Sequence, residues 1–276
     1  KNDPAAVKTL VTEGPDDVRN LMSMGFDYDK NPDGSPMKTL EGGHSRHRIV
    51  HHKDTTGADV VRTLLEKVET HHNVELCENT MVANINKEPA GFRLDVIIEG
   101  TVHTSIFCSY CLMASGGIGR VYRYTTNPVV ATGDGIRLAY EMGARIKHLS
   151  WIQFHPTAFN APDRDEQFLI SEAVRGEGGY LLNCNKERFM QRYDKRLELA
   201  PRDVVSRSII LESRRTGSNK FYLDITYKDP EFLYARFPGI TKGCMEFGID
   251  IATDLIPVFP CQHYLMGGID VSLLGE

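Results

Sequence analysis

The chain has 276 residues, 41% hydrophobic and 25% charged, with a formal net charge of -5. That length and balance suit one large globular domain or two smaller ones. The acidic balance argues against nucleic-acid binding through a general basic patch, and no apolar run reaches the roughly 18 residues a membrane span needs.

The opening residues, "KNDPAAVKTLVTEG", hold no apolar signal core, so secretion is not expected. The six cysteines, Cys77, Cys108, Cys111, Cys184, Cys244 and Cys261, are scattered along the chain. Reduced thiols and a cytoplasmic location fit them.

In chain order, residues 4–25 read as a helix, because Val7, Leu10, Val11, Val18, Leu21 and Met22 recur at helical spacing. "DKNPDGSP" is turn chemistry, and "HRIVHHKDTTG" is a short strand and turn. "ADVVRTLLEKVETH" reads as a helix with its apolar side on Val60, Val61, Leu64, Leu65 and Val68. Strands follow in "VELCENTMVANI", "FRLDVIIEG" and "VHTSIFCSYCLMA", the last expected to be buried and to run into "SGGIGR". It carries the CxxC of Cys108 and Cys111, which without a second pair reads as structural thiols. His44, His47, His51 and His52 sit on an extended stretch without a clear carboxylate or cysteine partner, so no metal site is expected.

"TGDGIRLAYEMGARI" is a helix opened by glycines, with Asp134 near its start. In "WIQFHPTAF", Gln153 and His155 share one strand face, opposite Ile152 and Phe154. Pro156 ends that strand or places it at a sheet edge. The stretch is either a half-buried strand with its polar side in water or a polar pair presented at a rim. "SEAVRGEGGYL" sets Ser171, Glu172 and Arg175 at helical spacing, with Glu172 and Arg175 an i,i+3 pair. At a surface such a pair contributes little. Arg202 in "APRDVVSRSI" falls at a helix start, where the backbone is already positive, so it strengthens an anion site or is a surface arginine. That helix stops at Gly217. "GIDIATDLIPVFP" and "HYLMGGIDV" return to strands, with His263 in the second. Two histidines, a hydroxyl, a glutamate and two arginines are the groups a small dicarboxylate requires at its two ends.

The motifs "GGHS", "ASGG", "TTNP", "GDG", "QFHPTA", "SEAVRGEGG", "APRDVVSR" and "HYLMGG" follow one another across almost the whole chain. As an ordered set they resemble the flavoprotein family of succinate dehydrogenase, fumarate reductase and L-aspartate oxidase. The glutamate before "GGHS", Glu41, resembles the aspartate-oxidising branch; the others usually carry an apolar residue there.

The resemblance implies an α/β FAD-binding domain, here incomplete, with an inserted α+β capping domain. The expected segments are 1–149 for the FAD-binding portion, 150–262 for the capping domain and 263–276 for the return. The implied reaction is flavin-dependent oxidation of L-aspartate to iminoaspartate, an early step of NAD biosynthesis, with oxygen or fumarate as oxidant. Implied partners are a C4 dicarboxylate (L-aspartate or fumarate) and quinolinate synthase as the receiver of product, with neither nucleic acid nor membrane. The alternatives are a fumarate reductase or succinate dehydrogenase flavoprotein subunit, and a non-catalytic dicarboxylate-binding module. By the same resemblance, His155, Ser171 and His263 bind substrate carboxylates, Gln153 stands beside them, and Glu41 meets the substrate ammonium. Arg202 is the acid/base, with Glu172 and Arg175 as its proton relay. FAD contacts fall to Gly42, Gly43, Met81, Val82, Ser115, Gly116, Gly117, Thr126, Asn127 and Asp134. The family opens with a strand and GxGxxG and closes with a second substrate arginine. Neither pattern is present, so an internal fragment, inactive and free of FAD on its own, is expected.

Overall fold

Asp3 starts the first helix: its carboxylate accepts the Ala5 amide at 2.8 Å, and Pro4 needs no amide partner in the first turn. This helix, α1, spans Pro4–Ser23. The computed structural model describes residues 2–41, 44–160 and 167–276. After α1 come β1 (Lys38–Thr39), β2 (Ile49–Val50) and α2 (Thr56–Glu69). Next are β3 (Thr80–Glu88), β4 (Gly91–Ile98), β5 (Val102–Cys108) and α3 (Asp134–Glu141). β6 (Ile146–Lys147), β7 (Ile152–Phe159), α4 (Glu172–Gly176) and β8 (Tyr180–Leu182) precede α5 (Arg202–Thr216) and β9 (Tyr222–Asp224). The last elements are α6 (Pro230–Arg236), α7 (Pro238–Met245), β10 (Ile256–Leu265) and β11 (Gly268–Ile269). None of the described helices is long and apolar enough to cross a membrane.

The chain forms two units, Lys1–Lys67 with Tyr124–Thr126 and Gln153–His263, and Val68–Arg123 with Asn127–Ile152 and Tyr264–Glu276. Residues 1–67 group with residues 153–263 rather than with residues 68–123. Side chains explain it. Asp54 accepts the Gly239 and Ile240 amides at 3.1 and 2.7 Å, satisfying the orphan donors at the start of α7. Arg236 donates to the Lys53 carbonyl at 2.7 Å. A Cβ on Gly176 would lie 2.5 Å from the Leu40 carbonyl oxygen, so this approach requires glycine.

In the first unit a four-stranded sheet runs β7-β10-β9-β8. Phe159, Ile170, Leu181, Phe189, Phe221 and Leu223 pack into its core. α5 buries a carboxylate beside that core. Glu212 accepts from Asn183 at 2.8 Å, Tyr193 at 2.7 Å and Arg215 at 2.7 Å. These bonds, Arg215 foremost, hold its pKa down to about 2.

The second unit contains the meander β3-β4-β5. Gly91 turns the first hairpin at φ 143°, where a Cβ would lie 2.1 Å from the Cys108 carbonyl oxygen. A bulge interrupts β3 between Val82 and Asn84. The expected buried strand from Val102 onward is corrected here. β5 ends at Cys108, and it is an edge with only β4 beside it among the described residues. Phe107 is 72% exposed, and Cys111 is exposed rather than a core thiol. "VELC" forms no strand.

Candidate active site

β7 continues through Pro156, which its edge position permits. Its burial inverts the amphipathic reading: His155 is 0% exposed and Phe154 is 40% exposed. The Thr157 amide donates to His155 Nδ1 at 3.3 Å. An amide can only donate, so the neutral ring carries its hydrogen on Nε2. That Nε2 is buried and has no hydrogen-bond partner among the described residues. β10 lies beside β7 and brings the His263 ring edge-on to His155, centroids 5.1 Å apart. Burial, with Arg202, Arg175 and His263 adding to it, pushes His155 well below 6.5. Burial and then Arg202 lower His263, while Glu172 opposes them. Both rings are therefore neutral at pH 7.

Arg202 is the first residue of α5. Its Nε donates to Glu172 Oε2 at 2.6 Å and its NH1 to Gln153 Oε1 at 2.9 Å. Glu172 Oε1 accepts from Arg175 NH2 at 2.8 Å, and Arg175 NH1 donates to the Glu198 carbonyl at 2.6 Å. The i,i+3 pair is thus not a surface bridge: Arg175 is 0% and Glu172 5% exposed. Burial lowers the Arg175 pKa, against the attraction of Glu172. Ser171 caps α4 by accepting the Ala173 amide at 3.2 Å, so its hydroxyl hydrogen can be donated to a ligand. Glu41 is half-buried, and its Cα lies 3.6 Å from where a Gly176 Cβ would stand. Gly42 and Gly43 lie outside the described residues. The first unit thus joins Gln153, His155, Glu172, Arg175, Arg202 and His263. Its donors and two guanidiniums around one carboxylate suit a small dianion.

The second unit holds a separate cleft of about 390 Å³, lined by Met81, Val82, Ser115, Thr132, Asp134 and Gly135 among others. Arg137 donates to the carbonyl of Ala83, the bulge residue, at 2.9 Å. A Cβ on Gly135 would stand 1.7 Å from Ser115 Oγ. Gly133 at φ 85° precedes α3, and Gly116 sits at φ 75°. Strand backbone, hydroxyls, a carboxylate and Gly135 in the lining fit part of a dinucleotide, while Gly116 and Gly117 do not line the cleft. Asn127 packs where a Cβ on Gly119 would be, 2.2 Å from its Oδ1. Thr126 places its hydroxyl 2.6 Å from His263 Nδ1. Neither residue lines the cleft.

Sequence reasoning missed three contacts: Thr157 to His155, Thr126 to His263, and Gln153 to Arg202. The first is local, two residues apart, and the "HPT" step carried its signal. The others span 137 and 49 residues, and no spacing pattern reports them.

Residues 1–276 match the model of the FAD binding domain family. The chain belongs to the FAD binding domain family. An L-aspartate oxidase of Clostridium perfringens is 42% identical over 277 residues, which is 100% of this chain and 62% of that protein. The chloroplastic L-aspartate oxidase 2-b of Nicotiana tabacum is 42% identical, covering 99% of this chain and 44% of the relative. Among solved structures, E. coli quinol fumarate reductase FrdA superposes with a TM-score of 0.89 at 29% identity, over 98% of this chain and 49% of that one. The chain therefore spans about half the length of the relatives it matches. It shares the mixed α/β FAD-binding fold of the fumarate reductase flavoprotein.

The depressed histidines of the first unit carry a stability prediction. His51, His155 and His263 all lie below 6.5 in the folded state, burial being the largest cause in each. Between those folded values and 6.5 the unfolded chain binds more protons, so stability rises with pH there and is lost as pH falls below 6.5. Unfolding midpoints measured across that range should decline on acidification, and His155→Gln should flatten the decline. An unaltered slope in the variant would contradict the burial assigned to this ring.

Proposed function

We propose that this chain belongs to an FAD-dependent L-aspartate oxidase, which converts L-aspartate to iminoaspartate. The observation that carries the reading is the Arg202–Glu172–Arg175 chain, with Glu172 and Arg175 buried, in the same unit as the His155 Nε2–H, which has no partner among the described residues. The 42% identical L-aspartate oxidases support the substrate.

In this reading His155, His263 and Ser171 donate to the substrate carboxylates. A dicarboxylate oxygen then gives the buried His155 Nε2–H the acceptor it lacks, relieving a desolvation cost of about 1–3 kcal/mol. Glu41 accepts from the substrate ammonium. As the imine forms, the substrate nitrogen gives up a proton. Arg202 takes it up only as its Nε releases a proton to Glu172 Oε2, so the proton ends on the carboxylate, whose Oε1 connects onward to Arg175. A guanidinium holds its proton tightly. The carboxylate between two guanidiniums, one of them lowered by burial, is what makes a transfer feasible. Met81, Val82, Ser115 and Asp134 would hold FAD, with Gly116, Gly117, Asn127 and the backbone of Thr126 contributing. Bound FAD supplies the two-electron acceptor for the hydride leaving the substrate's α-carbon.

Residues 150–262 are proposed as the inserted capping domain, a reading supported by the unit breaks near 152 and 263. Delivery of iminoaspartate to quinolinate synthase belongs to the same proposal. So does a cytoplasmic location, which suits cysteines that are all free. A fumarate reductase flavoprotein is the second reading, favoured by the TM-score of 0.89.

Glu41→Gln separates the two. Aspartate differs from succinate by an ammonium, which needs a negative partner when buried. The specificity constant for L-aspartate should fall at least ~10-fold, the scale of one charged hydrogen bond, with fumarate reduction unchanged or improved. Equal losses for both substrates would assign Glu41 to loop support and favour the second reading.

A further inference from the structure

Residues 124–126 lie along β10 as a short parallel partner, bridging Thr125 to Gln262. The Gln262 amide donates to the Tyr124 carbonyl and the Thr126 amide to the Gln262 carbonyl, each at 3.1 Å. Thr125 Oγ1 donates to Gln262 Oε1 at 2.5 Å. This frame fixes the Thr126 backbone against the strand that carries His263. Its hydroxyl then meets His263 Nδ1 at 2.6 Å. No other partner of that hydroxyl is found among the described residues, and a hydroxyl hydrogen turns to an available acceptor. His263 is neutral at pH 7, and a neutral ring that accepts at Nδ1 carries its hydrogen on Nε2. His155 reaches the same state by a different donor, the Thr157 amide.

We propose that Thr126 is a positioning residue, whose hydroxyl holds His263 as the Nε2–H tautomer and so makes it a carboxylate donor. The proposal rests on the dicarboxylate reading above. It gives the second threonine of "TTNP" a role towards the substrate, in place of a side-chain contact to the cofactor. A neutral histidine in the other tautomer would present a lone pair at Nε2 and repel a carboxylate.

The test uses the FAD-loaded enzyme with ¹⁵N-labelled histidine, and the variants Thr126→Val, Thr126→Ser and His155→Gln. Above pH 7, the ring shifts of His263 in the parent enzyme should report the Nε2–H tautomer. Thr126→Val keeps the shape but removes the hydroxyl, and should give a mixture of tautomers; Thr126→Ser should retain the parent shifts. The KM for L-aspartate should rise roughly fivefold in Thr126→Val, the scale of one hydrogen bond, more than kcat changes, and Thr126→Ser should restore it. Unchanged shifts in Thr126→Val overturn the proposal. So does an unchanged KM in Thr126→Val when His155→Gln raises it. If neither variant alters the KM, the dicarboxylate reading itself has failed.

Discussion

Arg202→Lys should cut turnover by ~10²-fold or more while flavin content stays that of the parent enzyme. The substitution keeps a positive charge at the start of α5. It removes the planar fork that lets one side chain reach Glu172 Oε2 through Nε and Gln153 Oε1 through NH1 at once. An ammonium satisfies one of these partners at most with the same reach, so the proton-bearing group moves relative to the histidine pair. Steady-state turnover with L-aspartate, beside the ratio of flavin absorbance to protein, measures both quantities. Near-parent turnover would leave Arg202 a structural partner of Glu172 and Gln153 with no part in the reaction.

Glu172→Gln should lower turnover at least as far, and it should also destabilise the first unit. The carboxylate is nearly buried and receives two guanidiniums, one of them fully buried. Its amide replacement leaves Arg175 charged and buried without its paired carboxylate, with only the attraction of Glu198 remaining. Breaking such a pair costs on the order of 3–5 kcal/mol. The Arg175 bond to the Glu198 carbonyl remains and offsets a part of that. Denaturant unfolding should therefore show a lower midpoint with an unchanged slope, which indicates lost stability rather than a less compact state. A turnover defect without a stability loss would mean that Glu172 is less coupled to Arg175 than their 2.8 Å contact indicates.

Helices α1, α2, α3 and α5 were legible because their signals are local. Apolar spacing located α1 and α2, and Gly217, at φ 65°, stopped α5 as expected. "QFHPTA" was legible as a strand that either ends at Pro156 or lies at a sheet edge, because Pro156 restricts where a strand can lie. Its burial was not, since alternation tells which residues share a face but not which face another element covers. The same gap explains β5, whose apolar residues suggested a core strand while its outer edge has no neighbour among the described residues. The ordered motifs named Glu172, Arg175, Arg202, His155 and His263 as one site; in the structure the first three are hydrogen-bonded in a chain and the two rings meet edge-on. Thr126 illustrates what such motifs leave out. Its place in "TTNP" suggested the cofactor and carried no sign of the ring 137 residues further on that its hydroxyl meets. Residues 1–67 joined the other unit through Asp54 and Arg236, contacts more than 180 residues apart in sequence that no window of sequence contains.

The central claim is that the site oxidises L-aspartate with bound flavin. Mixing the FAD-loaded enzyme with L-aspartate in the absence of oxygen tests it within a single turnover. The account predicts that flavin absorbance bleaches with L-aspartate and that oxaloacetate and ammonia, the hydrolysis products of iminoaspartate, appear in equal amount to the flavin reduced. Succinate at the same concentration should leave the flavin oxidised. Bleaching by succinate, with L-aspartate inert, would contradict the account.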